Sequence, residues 1–104
     1  MFPKRHRLNS TQYELVRKKG KKIYNSYFRG HVVYNADDSR FAVLVPKKIA
    51  KKRWKRNTLK RQISHILKEQ IKHENIHLLV VVNKAIDSKD DLPSHISDFL
   101  KIIN

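Results

Sequence analysis

A basic segment that continues into an amphipathic helix decides how this chain can fold: residues 47–71, KKIAKKRWKRNTLKRQISHILKEQI. Apolar side chains recur in it at steps of three and four residues, which places them along one side of a helix. This side holds Leu59, Ile63, Ile66, Leu67 and Gln70. By the same count, an adjoining side holds Arg53, Arg56, Asn57, Lys60, Arg61 and Ser64. The segment predicts a helix over about residues 55–72 that packs one side into a core and turns cations towards an anionic partner.

The net charge of the chain, +15, is concentrated in its first part. Residues 1–61 contain 19 Lys and Arg against three acidic residues, whereas residues 62–104 contain five against six. Such crowding raises the self-repulsion of the folded state, so a polyanionic partner is indicated. Nucleic acid is favoured over an acidic membrane, because no segment joins this charge to an exposed insertion face rich in Trp or Phe.

The length and composition indicate one domain over residues 1–104, with a basic N-terminal arm over residues 1–9. A hydrophobic content of 39% suffices for a packed core. The chain has no cysteine, which excludes disulfides and thiolate zinc sites. The strongest apolar run, residues 78–82, is too short to span a bilayer, and no signal-peptide pattern follows the first residues. We therefore expect a cytoplasmic protein without a membrane partner.

The first part of the chain predicts a helix followed by strands. Asn9, Ser10 and Thr11 offer N-cap side chains, and Thr11 with Glu14 has the spacing of a capping box, which favours a helix over residues 10–19. Aromatic and β-branched residues over residues 22–34 predict a short strand and then a longer one. A polar turn and a further strand over residues 40–45 are typical of an antiparallel hairpin with that longer strand.

The second part of the chain alternates strand and helix. Residues 76–82 are almost continuously apolar, which predicts a strand in the centre of the sheet. Residues 92–103 return to helical spacing, with Ser94 as an N-cap candidate. With the helix over residues 55–72, the predicted order is α-β-β-β-α-β-α, an α/β sandwich in which helices pack on a mixed sheet.

The sequence does not indicate a catalytic centre. None of the six histidines has the HExxH spacing of a zinc-binding helix, and His73 and His77 flank a predicted helix end. Neither a glycine-rich phosphate loop nor a GxSxG serine is present. We therefore predict no catalytic and no metal-binding residues in this protein. The cations can instead bind phosphates, and Asn57 can hydrogen-bond base edges or 2′-hydroxyls, but charge alone does not separate RNA from DNA.

The order of residues in the basic segment says more than its charge. Residues 52–61, KRWKRNTLKR, resemble the signature of the bacterial ribonuclease P protein subunit, an Arg-Asn pair followed two residues later by Lys-Arg. Residues 45–49, VPKKI, are similar to the strand end that precedes this signature in the family. Residues 79–82 are similar to the family's apolar fourth strand. Further similarity to the family's opening pattern is found at Arg7, Leu8, Tyr13, Val16 and Gly20.

The resemblance implies a fold and a function. The fold is an α/β sandwich with a four-stranded mixed sheet and a left-handed crossover, as in the second domain of a small-subunit ribosomal protein and against the usual right-handed rule. The function is to bind a large catalytic RNA and to assist the removal of the 5′ leader from precursor tRNA. The RNA, with Mg²⁺ held by RNA and substrate, would carry out the hydrolysis, and no small-molecule substrate is implied.

Two groups of residues take roles from the resemblance. Contact with the catalytic RNA is expected of Lys52, Arg53, Arg56, Asn57, Lys60 and Arg61. Binding of the leader, in a cleft between the first helix and the sheet, is expected of Tyr13, Arg17, Phe28, Lys47 and Lys48. Several positions depart from the family pattern. Arg17 stands in place of a second aromatic residue, and Ser64 stands in place of an arginine. Pro46 and Ala50 replace a serine and a glycine, and His31 lies near a common tyrosine position.

From the residues alone, alternatives stay open. One is a structural RNA-binding protein of the ribosomal type with no role in cleavage, and another is a nuclease that acts without RNA. Tyr13 is equally compatible with a core position and with an exposed ring that stacks on an unpaired base.

Overall fold

The seven predicted elements are present in the computed structural model of the protein, which describes residues 7–36, 38–71, 75–84 and 92–103. They are α1 (Ser10–Lys19), β1 (Lys21–Tyr24), β2 (Phe28–Val33), β3 (Arg40–Leu44), α2 (Arg53–Gln70), β4 (His77–Val82) and α3 (Leu92–Ile103). The α-β-β-β-α-β-α order is confirmed, and α1 and α3 have the predicted limits. Of the predicted N-terminal arm, residues 7–9 lie within the described part.

One four-stranded sheet has the strand order β1-β2-β4-β3. β4 lies in its centre, antiparallel to β2 and parallel to β3, as its continuous apolar run predicts. The predicted hairpin of β2 with β3 is wrong, because β4 lies between them; β1 and β2 form the antiparallel hairpin instead. A pattern within single strands does not identify their neighbours. The left hand of the β3-α2-β4 crossover stays a prediction.

The two faces of the sheet are covered by different helices, and β4 supplies both cores. Within residues 78–82, the even-numbered side chains belong to the main core with α2 and α3. Leu79 and Val81 lie on the opposite face, in a smaller cluster with Val16 of α1. This alternation is that of a strand covered on both sides. The protein therefore has helices on each face of its sheet.

Arg7 and Leu8, just before α1, lie along the outer edge of β3. The Leu8 backbone N–H donates to Phe41 O at 3.1 Å, and Arg7 forms a parallel bridge with Phe41. Arg40 Nη1 donates to Arg7 O at 3.2 Å. These contacts cover part of an edge strand, whose backbone groups would otherwise be open to pairing with another chain.

A capping box starts α1, and it uses Asn9, one of the three predicted N-cap candidates, with Gln12 as its partner. The Gln12 backbone N–H donates to Asn9 Oδ1 at 2.9 Å, and the Asn9 N–H donates to Gln12 Oε1 at 3.0 Å. The helix begins at Ser10, so Asn9 is the N-cap and Thr11 lies inside the first turn. The predicted box of Thr11 and Glu14 is therefore wrong.

α2 starts earlier than predicted, and the predicted N-cap of α3 is wrong. α2 begins at Arg53, so Arg53 and Trp54 belong to its first turn. No side chain caps α2 at Lys52, and the sequence therefore carries no capping signal for this start. α3 begins at Leu92, which places Ser94 inside its first turn rather than at the N-cap.

Replacing Asn9 with Ala is expected to lower the free energy of unfolding by about 1 kcal/mol, because the change removes the acceptor for the Gln12 N–H. The matched change Thr11→Ala, at an exposed position of the first turn, is expected to alter it by less than ~0.5 kcal/mol. Urea unfolding followed by circular dichroism measures both variants. Equal losses in the two variants would show that Asn9 is not the cap of α1.

Candidate nucleic-acid interface

The segment between β3 and α2, residues 45–52, is held down by apolar residues and exposes lysines; we call it the basic loop. Val45 and Ala50 are buried, and Ile49 is half-buried. The backbone N–H groups of Ile49 and Ala50 donate to Pro46 O at 3.0 and 3.3 Å, which closes a turn. The lysines of the loop are all exposed: Lys47, Lys48, Lys51 and Lys52.

Arg56 ties the basic loop to the first turn of α2. Its Nη1 donates to two loop carbonyls, Ala50 O at 3.0 Å and Lys51 O at 2.9 Å, and its side chain is half-buried. Hydrogen bonds from a charged guanidinium are among the stronger ones in proteins. Arg56 therefore fixes the loop on the helix, and the remaining N–H groups of its guanidinium are those that can face RNA.

The N-terminus of α2 is electrostatically unfavourable in the isolated protein. Lys52 occupies the N-cap without a side-chain cap bond, and no acidic residue lies in the first turn. Arg53, Lys55 and Arg56 follow, although the N-terminus of a helix already carries a partial positive charge. An anion bound there would offset this repulsion and accept hydrogen bonds from free backbone N–H groups. The start of α2 thus favours a negatively charged partner.

The polar side chains of the N-terminal half of α2 form a ridge. Arg53, Asn57 and Arg61 are exposed at intervals of four residues, which places them one above another on the helix surface. Lys60 lies beside them and is half-buried. The structure therefore brings together all six residues that are expected to contact RNA, and contact itself stays a prediction. We call this surface the α2 basic face: Lys52, Arg53, Arg56, Asn57, Lys60 and Arg61.

Ser64 does not belong to the exposed ridge, and the prediction for it is wrong. The residue is only 3% exposed, although it lies four residues after the half-buried Lys60. The buried side of α2 therefore extends one position further around the helix than its apolar residues indicate.

The predicted leader site lies on the other face of the sheet, where α1 packs. Tyr13 is half-buried and packs on the cluster of Val16, Leu79 and Val81. The ring thus combines the two alternatives that the sequence leaves open, since part of it is enclosed by a core cluster and part faces solvent. Arg17 is exposed one turn further along the helix.

Arg17 is engaged in an ion pair on the surface of α1. Its Nη2 lies 2.9 Å from Glu14 Oε2, and both side chains are half-exposed. The hydrogen bond from Arg17 lowers the pKa of Glu14 below its usual value. An exposed pair of this kind is weak. Arg17 can therefore bind a phosphate in competition with Glu14.

Phe28 does not border the α1 side of the sheet, and the prediction for it is wrong. Its side chain is 0% exposed, and its ring centroid lies 5.8 Å from that of Phe99 in α3. Phe28 therefore points to the face that α2 and α3 cover. Lys47 and Lys48 are exposed in the basic loop just after β3, and their contact with a leader stays a prediction.

The strand register places further polar residues on the α1 side, which sequence reasoning missed. Arg29 and His31 pair with the two β4 residues that pack with α1, and their own partners on β1 are Tyr24 and Lys22. Partners across strands share a face. Tyr24, which is 57% exposed, and the exposed Arg29 therefore extend the surface beside α1. The sequence signal for these residues is the alternation of side chains between the two faces of the sheet along β1 and β2. This alternation assigns a face to each residue only once the break between the two strands is known.

His31 is the buried member of this surface. Burial lowers its pKa, and the nearby Arg29, Lys22 and Arg17 lower it further. The imidazole is therefore neutral at neutral pH. Within the described residues its Nδ1 has no hydrogen-bond partner. A neutral imidazole has one donor and one acceptor, and this ring is enclosed beneath the surface that Tyr24 and Arg29 form.

Of the two histidines that flank the end of α2, His73 lies outside the described residues. His77 Nε2 lies 3.0 Å from Asp38 Oδ1, and Arg40 Nε donates to Asp38 Oδ2 at 2.7 Å. These hydrogen bonds, that of His77 first, lower the pKa of Asp38. The cluster joins the starts of β3 and β4. Over the described ranges, no group of three or more His, Cys, Asp and Glu is placed to hold a metal ion.

The fold and its surfaces define a class of protein. A mixed sheet lies between helices, and two polar surfaces are exposed around it. The basic loop and the α2 basic face form one of them. The rings and guanidinium groups of α1, β1 and β2 form the other, namely Tyr13, Arg17, Tyr24 and Arg29. This is the arrangement of a basic α/β protein that binds nucleic acid. In the part of the chain that the structure describes, no helix has the length and apolar character needed to cross a bilayer.

Comparison with known proteins identifies the family. The family model described as Ribonuclease P matches residues 2–103, and the chain therefore belongs to the ribonuclease P protein family. The chain is also similar to the ribonuclease P protein component of Rickettsia bellii. The two are 28% identical over 93 residues, an alignment that covers 79% of this chain and 78% of that protein.

Solved structures share the fold. The ribonuclease P protein of Thermotoga maritima matches with a TM-score of 0.71 at 24% identity, and the match covers 93% of each chain. A Staphylococcus aureus ribonuclease P protein mutant with defective mRNA degradation activity matches with a TM-score of 0.76 at 25% identity, covering 96% of this chain and 89% of that one.

Membership of the family settles the general role. The chain acts with an RNA subunit as part of an endoribonuclease complex, and it functions in the 5′ maturation of tRNA. The alternative of a ribosomal-type protein with no role in cleavage is thereby excluded.

Arg61→Ala is expected to lower the affinity for the RNA subunit and to reduce the slope of log K against log salt by about one unit, because one phosphate contact is lost. The side chain is exposed, so the free energy of unfolding should stay unchanged. Arg56→Ala is expected to lower that free energy by about 1–2 kcal/mol as well, because two hydrogen bonds to the basic loop are lost.

Filter binding at several salt concentrations and urea unfolding measure these two effects. Lys101→Ala is the matched control, since it removes an exposed charge from α3. A slope change in this control as large as that of Arg61→Ala would mean that total charge, and not the α2 basic face, determines binding.

Proposed function

We propose that the protein binds the catalytic RNA of ribonuclease P through the α2 basic face. We further propose that the 5′ leader of precursor tRNA binds to the α1 side of the sheet and to Lys47 and Lys48 of the basic loop. The supporting observation is the start of α2, where an uncapped helix N-terminus and the exposed loop lysines are held together by Arg56. A polyanion with closely spaced phosphates would offset these charges together. The complex would act in the cytoplasm.

In this proposal the RNA carries out the hydrolysis, and the protein contributes binding. Mg²⁺ prefers several oxygen ligands, which the RNA and the substrate phosphates supply. The described residues do not fit a metal site, since they contain no suitable group of three acidic or histidine side chains. We therefore assign the protein no catalytic step. Its cations hold the RNA and replace part of the Mg²⁺ that otherwise offsets repulsion between phosphates.

The α1 side of the sheet suits an unpaired leader. Tyr13 and Arg17 lie on α1, and Tyr24 and Arg29 lie beside them on the sheet. Unpaired bases stack on aromatic rings and on guanidinium planes, and such stacking depends little on base identity. Arg17 stands where the family pattern has an aromatic residue, so a guanidinium plane would replace an aromatic ring as the stacking surface.

Reconstitution with the RNA subunit tests the proposal. At low Mg²⁺, the protein is expected to raise the rate of precursor-tRNA cleavage above that of RNA alone, because its cations offset part of the phosphate repulsion. The protein without RNA is expected to give no cleavage. Cleavage by the protein alone, or no gain when it is added to the RNA, would contradict the proposal.

Tyr13→Ala is expected to weaken the binding of leader-bearing tRNA by about 1–3 kcal/mol, because one stacked base is lost. Mature tRNA, which has no leader, should bind the variant complex as before. Tyr13→Leu separates stacking from folding, since leucine keeps an apolar contact with the cluster beneath. If both variants bind precursor and mature tRNA with equal losses, Tyr13 does not contact the leader.

A further inference from the structure

We propose that Trp54 is a further RNA-contacting residue, on which one unpaired base of the RNA subunit stacks beside the α2 basic face. The inference deepens the proposed function and rests on the binding of RNA by α2. The sequence signature does not assign this role, because it consists of cations and Asn57. The observation that points to it is an indole in the first turn of α2 that is not packed into a core.

The indole is open to solvent. Trp54 is 62% exposed, the largest value among the exposed large hydrophobic residues of the described chain. The buried residues of α2 begin at Ile63, about 13 Å further along the helix axis. A large aromatic ring gains stability when it is covered, yet here the fold covers little of it. The ring is therefore available to a partner.

Helix geometry places Trp54 among residues of the α2 basic face. At about 100° per residue, Arg61 lies about 20° from Trp54 around the helix, and Asn57 lies about 60° from it. The Thr58 hydroxyl donates to Trp54 O at 2.8 Å in the same turn. A base stacked on the indole would thus have the Asn57 amide within one turn of it, and the Arg61 guanidinium would lie about 10 Å further along the same side of the helix, where it could bind a neighbouring phosphate.

The surroundings of the ring favour a nucleotide over another protein. Lys55 Nζ lies 5.8 Å from the indole centroid, at the outer limit of a cation–π contact, which leaves room for a base on the ring. The neighbours on this side of the helix are polar, namely Arg53, Asn57, Thr58 and Arg61. A protein partner would need a wider apolar patch. A single ring among cations is what base stacking on single-stranded RNA uses.

Intrinsic fluorescence tests the inference directly, because Trp54 is the only tryptophan of the chain. Titration with the RNA subunit is expected to quench the emission and to protect the ring from acrylamide, since a stacked base covers the indole. Inorganic polyphosphate carries charge without bases, and it is expected to bind without this protection. Equal protection by RNA and polyphosphate, or RNA binding with full access of acrylamide, would overturn the inference.

Substitution gives a second test. Trp54→Leu is expected to weaken binding of the RNA subunit roughly 5- to 150-fold with an unchanged salt slope, because a stacking contact neutralises no phosphate. Trp54→Phe should retain most of the affinity. Urea unfolding of both variants should match the parent protein, since the ring is exposed.

Comparison of RNA binding by the Trp54→Leu and Arg61→Ala variants distinguishes failure of this inference from failure of the proposed function. If Arg61→Ala lowers the salt slope and Trp54→Leu has no effect on affinity, the inference is wrong and the RNA interface stands. If neither variant changes binding, the assignment of RNA to α2 is itself wrong.

Discussion

The burial of β4 on both of its faces is the constraint on which the rest of the structure depends. Residues 78–82 are buried and apolar, so the strand needs a paired strand at each edge and a helix over each face. α2 and α3 cover one face and α1 covers the other. The packing is close at Gly30, where a Cβ atom would lie 2.5 Å from Phe99 Cζ. Cations are excluded from these interiors and collect on the outer sides of α1, α2 and the basic loop.

This division gives the protein two different surfaces. At the start of α2, charge dominates, so the binding of nucleic acid proposed there would depend on phosphates and fall with salt. At α1 and β1-β2, rings and guanidinium groups lie around an enclosed histidine, so the binding proposed there would depend on exposed bases. The same sheet separates the two surfaces, because each is attached to the opposite side of β4. In the proposed function, a structured RNA and a single-stranded leader would therefore be held at once.

Most elements could be predicted from the sequence, because their apolar residues repeat over the whole length of a helix or strand. Strand neighbours could not, since pairing is decided between segments. Phe28 is an example of a single residue that the sequence places wrongly. The face of the sheet to which its side chain points depends on where the chain breaks between β1 and β2. That break is fixed by Asn25, whose Oδ1 accepts from the N–H groups of Tyr27 and Phe28 at 2.9 and 2.8 Å. Its amide also donates to His95 O, 70 residues away, and no local pattern contains this contact.

Residues of the candidate site could be predicted where they belong to a sequence motif. They could not be predicted where their exposure depends on how the helices pack. The six residues of the α2 basic face were identified from the order of Arg, Asn and Lys, and the structure brings them together. Ser64 was assigned to the wrong side, because burial of α2 reaches beyond its apolar residues. Trp54 received no role from the sequence, because it lies before the predicted helix and only the structure gives its exposed fraction.

The hydrogen bonds of Arg56 have a consequence for selectivity. Because one guanidinium joins the basic loop to α2, the backbone that carries the loop lysines and the helix cations forms a single rigid template. Its torsions are restricted before any RNA arrives, so the entropy lost on binding is mainly that of lysine and arginine side chains. A rigid template discriminates by the spacing of phosphates in space. If α2 binds the RNA subunit as proposed, an RNA whose folded backbone matches that spacing would be preferred over an unfolded RNA of equal charge.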